Sequence, residues 1–148
     1  MKKKVLFIIC ISSLISLSNG CSDDNGWNKV ALQDFVLDKT CQWTEFEKQK
    51  IYRIDSQADL LNYIECEDNE IPQIDFEKYT LLMTSFDLPD PGYSITKKLT
   101  RNQNDYLLEI KYKSSGTPQP AMVILTHVAV LIEKMEPTSS IELSISKQ

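Results

Sequence analysis

The second half of the chain confines the fold more tightly than any other feature. From Tyr79 onward, apolar or alternating runs are cut by segments that resist pairing: "DLPDPG" at 87–92, "RNQND" at 101–105, "SSGTPQPA" at 114–121 and "EPTSS" at 136–140. Proline lacks a backbone donor, and Gly, Asn, Asp and Ser favour turns, so each cut ends a strand. Between the cuts, "YTLLMTSF" (79–86) is apolar enough for a central strand. Tyr93, Ile95 and Leu99 alternate with Ser94, Thr96, Lys98 and Thr100, with Lys97 the exception on the apolar side. Leu108, Ile110 and Tyr112 alternate with Glu109, Lys111 and Lys113, the two-residue period of a strand with one dry face. Met122 to Met135 is β-branched and free of proline, which predicts one long bent strand or two. A last strand runs through Ile141, Leu143 and Ile145.

The first half adds two short strands, Val30–Leu37 and Lys50–Ile54, and one helix, "SQADLLNYIEC" at 56–66. Ser56 is its N-cap, with Asp59 three residues on to return a capping contact. Leu60, Leu61 and Ile64 give it one apolar face, which a sheet must cover. The fold class expected is α+β, mainly β: an antiparallel sheet, half-barrel or sandwich of about six to eight strands with one helix packed on it.

The chain's start reads differently. Lys2-Lys3-Lys4 precede an apolar run of thirteen residues, Val5 to Leu17. That is too short for a span, which needs roughly 18, and right for a secretory signal. The run ends at Ser18-Asn19-Gly20-Cys21, which resembles a bacterial lipobox, with Gly20 and Cys21 matching. The resemblance implies cleavage before Cys21 and acylation of its thiol. Two or three acyl chains anchor stably where one is marginal. Residues 1–20 are thus a signal peptide, 21–26 a lipidated polar tether and 27–148 one globular domain. Six residues extend to at most about 20 Å, which holds the domain close to the lipid surface. Cys21-Ser22-Asp23-Asp24 also looks like the start of Bacteroidetes lipoproteins whose acids mark export to the outer face of the outer membrane. The expected location is the outer membrane, lipid-anchored and surface-exposed.

Losing residues 1–20 removes three lysines and no acid, so the formal charge moves from −5 to −8. An acidic chain without a basic run is a poor match for a phosphate backbone, and nucleic acid is excluded as a partner. With Cys10 discarded and Cys21 acylated, Cys41 and Cys66 remain as a pair in an oxidising compartment, where a disulfide is the economical reading. The spacing of 25 and a lone His127 do not give a zinc pattern, and no Cys-x-x-Cys is present.

Little else carries chemistry. His127 sits in "VILTHVAVL", an apolar strand, and reads as a strand-face or core residue; no Gly-x-Ser-x-Gly elbow positions a nucleophile. Glu65, Glu67, Asp68 and Glu70 near the helix end, and Asp87 and Asp90 beside prolines, lack the pattern of an EF-hand. No metal, cofactor or catalytic residue is expected. Trp27, Asp87, Asp90 and Tyr93 are the candidate binding surface, with Trp43 as a further aromatic of a ligand platform.

Several stretches in order, "IYRIDSQADLLNYI", "IPQIDFEKYTLLMTSF" and Pro91-Gly92-Tyr93, with the landmarks Cys41-Gln42-Trp43-Thr44 and Pro72-Gln73-Ile74-Asp75-Phe76, resemble PrcB-like domains. These are named for the C-terminal part of an accessory subunit in a surface protease complex, and the nearest pattern is that of Bacteroidetes lipoproteins. The likeness spans roughly residues 41–147. It implies partner binding and brings no catalytic residues. The function expected is a lipid-anchored, non-catalytic binding or accessory module for another envelope protein. The alternative is a small-ligand or saccharide-binding protein, or minor hydrolase, with a site of scattered acids and aromatics.

Overall fold

The structure, a computed structural model, describes residues 26–67, 71–89, 92–114, 116 and 122–148. The expected signal peptide at 1–20, and Cys21, Asp23, Asp24 and Asp90, lie outside the described residues. In chain order the elements are β1 (Asn28–Val30), β2 (Gln33–Asp34), β3 (Cys41–Trp43), β4 (Tyr52–Ile54), α1 (Gln57–Leu60), β5 (Ile64–Cys66), β6 (Tyr79–Leu88), β7 (Tyr93–Asn102), β8 (Asp105–Ser114), β9 (Ile124–Glu133) and β10 (Ser140–Lys147).

They form a sandwich with a third layer, mainly β as expected. An outer sheet runs β1-β7-β8-β10 and a central sheet β2-β9-β6-β4. Between them Leu82, Phe86 and Leu88 of β6 and Val128, Val130 and Ile132 of β9 meet Leu99, Tyr106, Leu108 and Ile110 of β7 and β8. On the far face of the central sheet, Leu81, Met83 and Ala129 pack beneath Ile54, Leu60 and Ile64, ringed by Trp43, Phe46, Ile74 and Phe76. Successive side chains of a strand point to opposite faces, so even residues of β6 fill one core and odd residues the other. That is why 79–86 reads as continuous and not alternating. Each fully buried Leu, Phe or Met contributes roughly 1.5–3 kcal/mol of transfer energy.

β6 and β9 pair along their full lengths, from Tyr79 opposite Glu133 to Leu88 opposite Ile124. The long stretch at 122–135 is therefore one strand. β7 and β8 make a ten-residue hairpin whose turn places Gln103 at a left-handed φ of 55°.

Three sequence expectations are corrected. Val30–Leu37 is two strands in two sheets, because Val30 and Leu32 reach the inter-sheet core while Phe35 and Leu37 reach the far one. The parity flips, so the chain changes sheets at Ala31–Leu32. The helix is a single turn: the Ser56 oxygen accepts from the Asp59 N–H at 3.1 Å as predicted, but Leu61 is 46% exposed and Ile64–Cys66 is strand β5. One helical turn cannot sustain itself against the pairing offered by β3. Finally, β10 runs parallel to β8, which makes the outer sheet mixed. β9 stands between them in sequence but in the other sheet, and two reversals restore the direction of β8.

A polar node fixes the β9–β10 connection to the central sheet. The Asp55 carboxylate accepts from Thr80 Oγ1 at 2.6 Å, from Lys134 Nζ at 3.0 Å and from Arg53. Arg53 also donates to the Met135 and Glu136 carbonyls, each at 3.0 Å. Burial alone would raise the Asp55 carboxyl, but these three donors outweigh it and hold it below its ordinary value.

Candidate binding surfaces

Cys41 and Cys66 stand directly opposite each other on β3 and β5 and are bonded, across a sequence separation of 25. The bond staples a two-stranded cap over the central sheet, a strand pair where the sequence had suggested a helix end. Beneath the cap, His127 is stacked on Trp43 at 6.1 Å and meets Phe46 edge-on at 5.3 Å. Phe46 also meets Tyr52 at 5.3 Å and Tyr63 at 5.9 Å, while Phe35 closes on Trp43 at 6.1 Å. Burial among these rings pushes the imidazole below its ordinary pKa.

His127 lies across the ladder from Ser85, whose buried hydroxyl has no hydrogen-bond partner in the described structure. A nucleophile and its base must be within hydrogen-bond reach, and Ser85 is only 1% exposed. The pair has a dyad's residue types without its contact. Trp43 belongs to this packing and forms no exposed platform.

The sequence-named surface residues do not converge. Trp27 precedes β1 and lies by the β7–β8 turn, since Asn28 pairs with Arg101. Tyr93 starts β7 at the opposite end, roughly 30 Å away along an extended strand. It faces inward, 5.4 Å from Tyr112, with Lys147 Nζ 5.6 Å over its ring. Asp87 shares that end of the sandwich but is ion-paired to Lys48 at 2.8 Å. Asp90 falls outside the described residues. Aromatics and acids are recognisable in sequence; their side of the sheet and their counter-ions are not.

A concavity that the sequence reading missed forms where the chain changes sheets. Val30, Leu32, Leu131 and Ile132 give it an apolar floor, and Glu77, Lys78, Tyr79, Glu133 and Lys134 a polar rim. Its volume is about 650 Å³. Two neighbouring hollows of about 430 and 380 Å³ share Val30 and Ala31 with it. The groove exists because β2 covers β9 only at Val130 and Leu131, which leaves Ile132 and Glu133, paired with β6 on their other side, without a strand on this side among the described residues. On its rim Lys78 is paired to Asp75 at 2.7 Å and Lys134 to Asp55 at 3.0 Å. Glu77 and Glu133 have no ion pair among the described residues, so the rim's uncompensated charge is negative. The parity flip between Val30/Leu32 and Phe35/Leu37 was the sequence signal that could have located it.

Among the described residues no three His, Cys, Asp or Glu side chains converge as a metal site would require. Compared with known proteins, the chain matches no family model, no curated protein and no solved structure.

Proposed function

We propose that this chain is a lipid-anchored, non-catalytic envelope protein, PrcB-like in type, that docks another envelope protein through the groove at the sheet change. The observation that carries this reading is the groove's make-up: an apolar floor, a charged rim and an exposed tyrosine, the anatomy of a protein interface. Two rim glutamates without an ion pair among the described residues suit a partner that presents a basic side chain beside an apolar one. Gly26 and β1 lie next to this region of the outer sheet, so a tether from Cys21 would hold the groove near the membrane surface.

The test uses the lipidated chain in its native envelope. Mass spectrometry should find an acylated N-terminal Cys21, and Cys21→Ala should release the protein; an unmodified mature chain beginning elsewhere would remove the anchor. Crosslinking should then capture a stoichiometric protein with the wild type and lose it with Tyr79→Ala and Glu133→Lys. Capture unaffected by both substitutions defeats the groove as the docking site. The second reading, saccharide binding, is favoured by the presence of Tyr79, Glu77 and Glu133 in one groove. Saturable binding of an oligosaccharide that is lost in Tyr79→Ala would replace the first.

A further inference from the structure

We infer that β10 is a pairing edge through which two copies of this chain join their outer sheets, antiparallel and about a two-fold axis at Leu143. The starting observation is an asymmetry among the sheet edges. β1, β2 and β4 are three, two and three residues long. Two of the strands behind them, β6 and β7, carry further protection. Beyond β4, Gln49 N–H donates to the Ser85 carbonyl at 2.7 Å and Lys48 pairs with Asp87, which covers the rest of β6's edge. Beyond β1, β7 turns the charged Lys97 inward, where it meets Asp34 across the sheets. Short strands and inward charges are the devices by which edges avoid pairing.

β10 has one only at its end, where Lys147 reaches over the Tyr93 ring. It is eight residues long, keeps unbroken register with β8, contains no proline and turns no charge inward between Ile141 and Ile145. Its even residues are the ones bonded to β8, as the end contacts fix: Ser140 N–H to Asn104 O at 3.0 Å and Gln148 N–H to Tyr112 O at 2.9 Å. The N–H and C=O groups of Ile141, Leu143, Ile145 and Lys147 therefore point away from β8, and no described strand lies there. The side chains of Ile141, Leu143 and Ile145 are only half-buried, so the inter-sheet core is itself open along this edge.

The sequence of the strand identifies the occupant as a second copy. With the axis at Leu143, Leu143 faces its own equivalent and Ile141 faces the partner's Ile145, so three pairs continue the core face as an apolar ladder. These three pairs exchange six backbone hydrogen bonds. On the solvent face Glu142 stands opposite the partner's Ser144, and Ser140 opposite the partner's Ser146. No like charges are opposed, which is the condition a self-paired strand must meet. The result is a continuous outer sheet across the dimer. A two-fold normal to that sheet keeps both chain starts at one height along the axis, so two copies tethered to one membrane can meet this way.

The experiment measures self-association of the full lipidated chain in detergent by sedimentation over a roughly hundredfold dilution range, which separates a dimer from a fixed assembly. A reversible dimer is expected. Ser144→Lys, which faces Glu142 of the other copy twice, should tighten it by roughly fivefold, and Ser144→Glu should loosen it by a similar factor. Ser144 is exposed, so both substitutions leave the fold in place by design. Leu143→Pro removes a donor that β8 does not use and should abolish the dimer while circular dichroism stays native. Should that variant misfold, the Ser144 pair decides alone. A chain monomeric at every concentration, or a dimer indifferent to the charge at position 144, overturns the inference. Loss of partner capture in the groove variants with the dimer intact would touch only the function proposed above.

Discussion

The central and outer sheets are built on pairs of ten-residue strands, yet eight of ten residues are buried in β6 against two of ten in β7. The difference lies in what covers them. The central sheet has the outer sheet on one side and the disulfide cap with α1 on the other, so every position of β6 from Thr80 to Phe86 must be apolar or small. The outer sheet keeps a wet face of Ser94, Thr96 and Lys98, and its sequence alternates. Two-sided burial is concentrated in the first, and the second keeps one face in solvent.

The sharpest way to break this comparison is to truncate one residue in each sheet. Phe86→Ala, at a site 2% exposed, should cost about 3–5 kcal/mol, while Ile95→Ala on half-buried β7 should cost about 1–2 kcal/mol. Urea unfolding measures both; equal losses would mean that the two-sided burial of β6 carries no special weight.

Reduction of the Cys41–Cys66 bond comes next. A closed loop of 25 residues is worth about 3.5 kcal/mol in the chain-entropy model. Because the bond lies in the cap, hydrogen exchange should quicken first in β3 and β5, with β7 and β8 still protected. Thiol labelling before reduction checks the bond itself: free Cys41 and Cys66 in the folded protein from its native source would refute it.

The smallest effect should come from His127, under the same cap. Its folded pKa is lowered from 6.5 by burial, so on acidification the unfolded chain takes up the proton first. Its contribution is complete above about pH 6.5 and declines as the pH falls toward the folded value. The slope should be a fraction of the about 1.4 kcal/mol per pH unit that one proton allows, since solvent reaches the ring. His127→Leu should flatten it. Asp55 acts in a separate window: lowered from 3.8, it loses its contribution only as the pH falls through its folded value. A stability profile unchanged in His127→Leu would show that the ring is not protected by its aromatic neighbours.

Much of the fold was legible because period-two patterning is a local signal. Ile95/Leu99 and Leu108/Ile110/Tyr112 declared their inward faces, Ser56 declared its cap, and Cys41 and Cys66 declared their bond. The helix was overread because Leu60, Leu61 and Ile64 fit a helical face as well as they fit a turn entering a strand. Only the pairing of Ile64 with Trp43, twenty-one positions earlier, separates the two.

The candidate surfaces were legible least. Trp27 and Tyr93 were joined by residue type, but the length of β7 holds them apart, and the groove at Ala31 draws its wall from residues up to about a hundred positions away, such as Lys134. The sequence by itself determined the long strands after Tyr79, the breaks between them, the cap residue and the available cysteines, because each follows from side chain and backbone within a few positions. Tertiary structure alone decided which sheet each strand joined, that β10 runs parallel to β8, that Lys97 is met by Asp34, and which edge was left open. Those outcomes depend on contacts between distant segments, whose energies no local pattern records.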